Sequence, residues 1–277
     1  MTVTYEQLDA FRAMLENEEK SAATLDKYCR DARYFARWLG DQPLTHQAAL
    51  QYKNELLTRF AASSVNSMLA ALNSFFRAIG RQDCRVRQVR VQYQTYCSED
   101  RELSAQEYAA LVRTARQQGR ARVALLLQTI CATGIRVSEL SAITVEAARK
   151  GVAVVRCKGK LRRVLLPSRL QSKLLRYARR HRIAYGPVFV TRTGQPLDRS
   201  NIWREMKSLC RDAGVDSTKV FPHNLRHLFA RSFYRLERDL AKLADLLGHS
   251  SINTTRIYVR TTSAEHRKYL EQMQLVL

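Results

Sequence analysis

The chain has 277 residues, 45% of them hydrophobic, and carries 47 Lys and Arg against 25 Asp and Glu, a formal net charge of +22. That apolar share is enough for real cores, while no stretch approaches the ~20 apolar residues of a membrane span, so a folded, soluble, cytoplasmic protein is expected and a membrane protein is not. Six scattered cysteines without a C-x-x-C pair argue against a disulfide framework or a zinc ribbon.

The positive excess repels itself unless an anionic partner uses it, which points to nucleic acid; a basic but uncommitted surface is the plain alternative. Basic clusters recur at 84–92, 160–163 and 176–182, so binding through several segments is expected rather than through a basic tail.

The first 80 residues read as helix after helix. After a segment from Tyr5 to about Glu18, apolar residues at Leu25, Tyr28, Cys29, Ala32, Phe35, Ala36 and Leu39 step by three and four and stop at Gly40. Leu56, Leu57 and Phe60 close a further pattern, and Val65, Met68, Leu69, Leu72, Phe75, Phe76 and Ile79 form another that stops at Gly80. These predict a four-helix N-terminal domain over residues 1–84. From about Arg81 the periodicity fails, and residues 85–101 read as a linker. A capping-box pattern, Ser104 to Glu107, flanked by Leu103 and Tyr108, opens a second domain over 102–277.

That second domain is predicted to be mostly helical with one β-hairpin. Val152 and Val154 precede the Lys158-Gly159-Lys160 turn, and Val164 and Leu166 follow it. Helical patterns follow at about 168–182, 199–213, 222–236, 239–247, 251–258 and 264–276. The last of these has its own capping box, Thr262 to Glu265.

Four places concentrate unusual polar residues. In ATGIRVSEL a helix stops at Gly134 and presents Arg136, with Glu139 three residues on; a solvated arginine in a helical salt bridge is the plain reading. In PHNLRHLFA, proline at a helix start puts His223 and Arg226 on one face, while His223 and His227 have the spacing of a zinc-binding pair. Asn224 stands where a metalloprotease would carry its glutamate base, which speaks against metal. At the hairpin turn, Lys158 could supply a proton to a leaving group, or Lys158, Lys160, Arg162 and Arg163 could simply contact phosphates. In LLGHSSINTTRIY, His249 follows a glycine-stopped helix, and Tyr258 sits on the next short helix as either packing residue or nucleophile.

ATGIRVSEL, HNLRH and LGHSSINTTRIY, in that order behind a small helical domain, resemble the tyrosine recombinase (phage integrase and Xer) family from about residue 102 to the end. The resemblance implies a mainly α fold: a four-helix, SAM-like core-binding domain and a mostly helical catalytic domain with a small β-hairpin. By position, Arg136 is similar to the first catalytic arginine, His223 and Arg226 to the His-x-x-Arg pair, His249 to the next histidine and Tyr258 to the nucleophile. Lys158 is similar to the hairpin lysine. The family often reads Gly-Lys-Gly-x-Lys where this chain has Cys157-Lys158-Gly159-Lys160, which leaves Lys160 as a substitute.

The resemblance further implies strand cleavage and rejoining at a specific site in double-stranded DNA, through a 3′-phosphotyrosyl ester and a Holliday junction. No metal, ATP or other cofactor is implied. The terminal helix would dock on a neighbouring protomer in a homo-tetramer, or pack on its own domain. There is room in this picture for a second recombinase or an accessory protein. The competing expectations are a type IB topoisomerase-like nicking-closing enzyme and a DNA-binding protein without catalysis.

Overall fold

The computed structural model describes residues 3–90, 102–157, 160–249, 251–259 and 271–273, and the chain forms two compact units, Met1–Tyr93 and Gln94–Leu277. Lys158 and Gly159 of the hairpin turn, the linker stretch 91–101, the Thr262 capping box and nearly all of the tail helix lie outside the described residues. So do the side chains of Cys157, Lys160 and Val259. Among the described residues no helix is long and apolar enough to cross a membrane.

The first unit is the predicted set of four helices: α1 (Tyr5–Asn17), α2 (Ala22–Leu39), α3 (His46–Arg59) and α4 (Ala62–Ala78). Thr4, Ser21 and Thr45 cap the first three, each hydroxyl accepting a backbone N–H that the helix start leaves unpaired. The predicted stripes face inward. Phe11, Phe35, Phe75 and Phe76 are fully buried, with Phe11 edge-on to Phe75 at 5.4 Å and Phe35 edge-on to Phe76 at 5.5 Å.

Residues 85–89, expected to begin a linker, are instead seated on α4. Asn73 donates to the Val86 carbonyl (2.9 Å) and accepts from its N–H (3.0 Å), and Asn66 does the same for Val89 (2.8 and 2.7 Å). The spacing fits: seven helical residues rise about 10.5 Å, close to the roughly 10 Å of three extended residues. Val86 is buried as a result.

The second unit begins with α5 (Ala105–Gln117), where the predicted capping box of Ser104 and Glu107 is formed. It continues through α6 (Ala121–Thr133), a 3-10 turn (Val137–Ala142) and α7 (Val145–Lys150). Next comes the antiparallel hairpin of β1 (Val152–Cys157) and β2 (Lys160–Leu165), followed by α8 (Ser168–Arg180) and α9 (Arg199–Lys207). The remaining helices are α10 (Cys210–Ala213), α11 (Pro222–Glu237), α12 (Leu240–Leu247) and α13 (Ile252–Arg256).

Helix α6 is the hub, apolar on nearly all sides from Val123 to Ile130, and its buried Thr129 and Thr133 hydroxyls donate to carbonyls one turn back. In the hairpin Ala153 pairs with Val164 and Val155 with Arg162. The buried face of β1 is therefore Ala153 and Val155, and Val154 is 56% exposed.

Candidate active site

Three helix ends meet in the second unit: the C-termini of α6 and α12 and the N-terminus of α11. Pro222 starts α11 with its fixed φ, and the Asn224 side chain donates to the Lys219 carbonyl (2.7 Å), so the next turn presents Arg226 to the interior. Arg226 is only 2% exposed. Its Nη1 donates to the Gly134 carbonyl, and its Nη2 donates to the Leu247 carbonyl (2.7 Å) and meets His249 Nε2 at 3.0 Å. One guanidinium thus ties together the last carbonyls of two helices. Gly134 makes this approach possible: its φ of +61° is the left-handed region, and a Cβ there would stand 2.5 Å from the Phe229 ring.

His249 is held on both sides. A guanidinium only donates, so Nε2 accepts from Arg226; the ring proton then sits on Nδ1, which donates to the buried Thr255 hydroxyl at 2.8 Å. Burial first, then the charges of Arg226, Arg136 and Arg162, push the His249 pKa down to about 4, so the ring is neutral at physiological pH.

Arg136 follows Gly134 by two residues and starts the 3-10 turn. Its backbone N–H donates to Glu139 Oε2 (3.0 Å) and its Nη1 to Glu139 Oε1 (2.8 Å), while Nη2 reaches only to 3.5 Å from the Gly248 carbonyl. The side chain keeps 30% of its surface open, against 4% for Glu139. Glu139 also accepts from Arg162 Nη2 at 2.6 Å. Burial, the largest single influence, pushes the Glu139 carboxyl up, but hydrogen bonds from Arg136 and the charges of Arg162 and Arg136 outweigh it and hold its pKa below the usual value.

Tyr258 lies just past α13 in a 3-10 turn (Ile257–Val259) and is 4% exposed, packed with Ala230, Leu243 and Leu247. Three imidazoles surround its ring: His227 at 4.4 Å, edge-on, His249 at 5.5 Å, stacked, and His223 at 5.8 Å. Burial, then the charge of Arg136, lowers the Arg226 pKa, and the nearby Tyr258 side chain opposes that shift. His223 faces solvent, and burial of its inner edge together with Arg226 and Arg136 lowers its pKa. His227 is driven down to about 3, mainly by burial, then by His223 and Arg231.

The structure therefore brings Arg136, His223, Arg226, His249 and Tyr258 to one place; Lys158 and Lys160 are not among the described side chains. Among the described residues no group of three or more His, Cys, Asp or Glu is placed to hold a metal ion. Arg162, one of the hairpin residues for which plain phosphate contact is the alternative, points inward, because it shares strand parity with the buried Val164 and Leu166. Thr255 and His227 also belong to the site's surroundings; His227 stands out in the sequence only as the spacing partner of His223, and no spacing signal singles out Thr255.

Residues 101–265 match the phage integrase family, and residues 8–83 match the phage integrase N-terminal SAM-like domain. The tyrosine recombinase XerA of Pyrococcus furiosus is 29% identical, covering 99% of this chain and 96% of its own. The tyrosine recombinase XerC of Pelobacter propionicus is 31% identical over 93% of this chain and 91% of its own. A solved lambda integrase dimer bound to a core site shares the fold, with a TM-score of 0.75 at 19% identity over 95% of this chain and 96% of that one. The chain belongs to the phage integrase family of tyrosine recombinases, enzymes of site-specific DNA recombination, and is of the Xer type.

Proposed function

We propose that this chain cleaves and rejoins double-stranded DNA at a specific recombination site, with Tyr258 as nucleophile. The observation that carries the reading is the gathering of Arg136, His223, Arg226 and His249 around Tyr258 from positions spread over more than 100 residues of the sequence. A phosphodiester resists attack because its non-bridging oxygens are negative, and that charge grows as the phosphorus becomes pentacoordinate. Arg136, the more open guanidinium, and the N–H groups of Arg226 not spent on backbone carbonyls neutralise it.

His223, neutral at pH 7 because its pKa is lowered, takes the phenol proton as Tyr258 oxygen attacks phosphorus. The P–O5′ bond breaks, and Lys158, or Lys160 in its place, protonates the departing 5′-oxygen. The resulting 3′-phosphotyrosyl ester keeps the bond energy, so attack by a new 5′-hydroxyl religates without ATP. Cleavage of one strand at a time in a homo-tetramer on two sites passes through a Holliday junction. A second recombinase or an accessory protein can complete the assembly.

The test is incubation with nicked suicide duplexes tiled over the DNA flanking its own gene, without nucleotide and with EDTA. A denaturation-resistant protein–DNA adduct confined to one sequence, and lost in Tyr258→Phe, is expected. An adduct that persists in Tyr258→Phe would overturn the assignment of the nucleophile, and cleavage without sequence preference would favour a nicking-closing enzyme.

A further inference from the structure

Arg162 occupies a place that neither a surface strand nor a plain ion pair requires. Its side chain is only 10% exposed. Nη2 donates to Glu139 Oε2 at 2.6 Å, so the carboxylate that holds the Arg136 guanidinium through its other oxygen is itself held by Arg162. Nη1 donates to the Leu246 carbonyl at 2.5 Å, three residues before His249. The stem lies against Gly248, whose φ is +64° and whose missing Cβ would run into the Arg162 side chain, 2.9 Å from Nε. That Nε is buried without a hydrogen-bond partner, a cost borne only where the other contacts over-determine the side chain.

We infer that Arg162 is a positioning residue for the phosphate-binding side of the site, setting Arg136 through Glu139 and His249 through the end of α12. The inference rests on the reading of Arg136 as a phosphate ligand. Arg162 itself does not reach the phosphate, because both of its Nη atoms are committed inward and its surface is closed. Its planar fork is what the place needs: two donors at a fixed angle hold a carboxylate on one element and a carbonyl on another, which an ammonium on a flexible stem cannot do together. Arg136 and Arg162 share the one carboxylate of Glu139, and both charges also act on the buried Arg226, so three guanidiniums stand against one carboxylate and the site carries a standing positive charge that an arriving phosphate completes.

Arg162→Met and Arg162→Lys are compared with the wild-type chain on a nicked duplex that the wild type cleaves, and on the same duplex with a methylphosphonate at the scissile position. A neutral phosphonate offers Arg136 little charge to hold. Duplex affinity is expected to stay within about threefold, while phosphodiester cleavage slows about 100-fold in Arg162→Met and about tenfold in Arg162→Lys, the scale of a displaced ligand. On the methylphosphonate the gap to wild type should close to under about threefold, since the misplaced group no longer matters there. Equal slowing on both substrates, or no slowing on the phosphodiester, overturns the role. If Arg162→Met does not fold, Arg162→Lys decides, because it keeps a charge beside Glu139. Arg136→Ala alongside separates the two claims. Wild-type cleavage by Arg136→Ala sinks the reading of Arg136, whereas a slow Arg136→Ala beside fast Arg162 variants sinks only the role of Arg162.

Discussion

Arg226 Nη2 stands 3.0 Å from His249 Nε2, and because the guanidinium can only donate, this contact decides where the proton of the imidazole resides. The proton is on Nδ1, and the Thr255 hydroxyl accepts its hydrogen bond. His249 therefore orients Arg226 through Nε2 and offers no donor at that nitrogen. Under the proposed function an arriving phosphate competes for the same Nη2–H, and its negative charge favours the protonated ring, whose Nε2 then donates as well.

Thr255→Val tests this relay. Valine fills the space of the buried threonine but leaves Nδ1–H without an acceptor, and an unpaired buried donor costs about 1–3 kcal/mol. The ring escapes the cost by rotating or changing tautomer, and Arg226 loses its acceptor. Single-turnover cleavage should fall about tenfold or more while duplex affinity changes little. Cleavage at the wild-type rate would show that Thr255 does not set the tautomer.

Acid should unfold the second unit earlier than its carboxylates alone require. His227 titrates at about 3 and His249 at about 4 in the folded chain, against about 6.5 for a free imidazole. The folded pKa lies below the unfolded one, so the unfolded chain binds more protons, and stability rises with pH. The contribution is complete above about pH 6.5 and is lost as pH falls toward about 4, at up to about 1.4 kcal/mol per pH unit for each ring. Melting temperatures between pH 7.5 and 5 should fall with acidification, less steeply for His227→Gln. Parallel curves for the two proteins would remove His227 from the linkage.

Much of this architecture is legible in the sequence, and the exceptions have physical causes. The stripe from Leu25 to Leu39 became α2 because an 18-residue helix must bury one face, and Cys29, Ala32, Phe35 and Leu39 are the buried ones. In β1, residues 152–155 are all apolar, so alternation could not choose a face; pairing of Val155 with Arg162 and Ala153 with Val164 does. Arg162 shares its parity with Val164 and Leu166, a signal present in the sequence but masked by the basic run around it. Residues 85–89 show no sustained periodicity because two asparagine side chains pair with their backbone and only Val86 and Val89 turn to the core. The site residues are individually ordinary, and only their combination in order pointed to one place; Thr255 gives no such signal.

Gly134→Ala should injure fold and site together. The new Cβ would lie 2.5 and 2.7 Å from two Phe229 ring carbons and 3.0 Å from Leu247, at a φ of +61° that alanine disfavours. Left-handed strain and overpacking each cost about 1–3 kcal/mol, and each kcal/mol lowers the melting temperature of a unit this size by about 2–4 °C. A drop of at least about 4 °C is expected on that basis. Because the Gly134 carbonyl accepts from Arg226, cleavage should also slow under conditions where the variant is fully folded. An unchanged melting temperature would mean that Phe229 yields freely.

Asn66 and Asn73 make a prediction confined to the first unit. Each amide pairs with both the N–H and the carbonyl of one residue, Val89 and Val86 respectively, as a neighbouring strand would. Alanine at either position leaves two backbone groups without partners, and Val86, 3% exposed, lies where water replaces them poorly. Asn73→Ala should cost about 1–3 kcal/mol and speed amide exchange at Val86, while Asn66→Ala should act chiefly at Val89, nearer the end of the seated segment. Hydrogen exchange on the full chain reads both positions at once. Protection at Val86 that survives Asn73→Ala would show that burial of the valine side chain alone seats this segment, and that the asparagine pairing is a consequence of the seat rather than its cause.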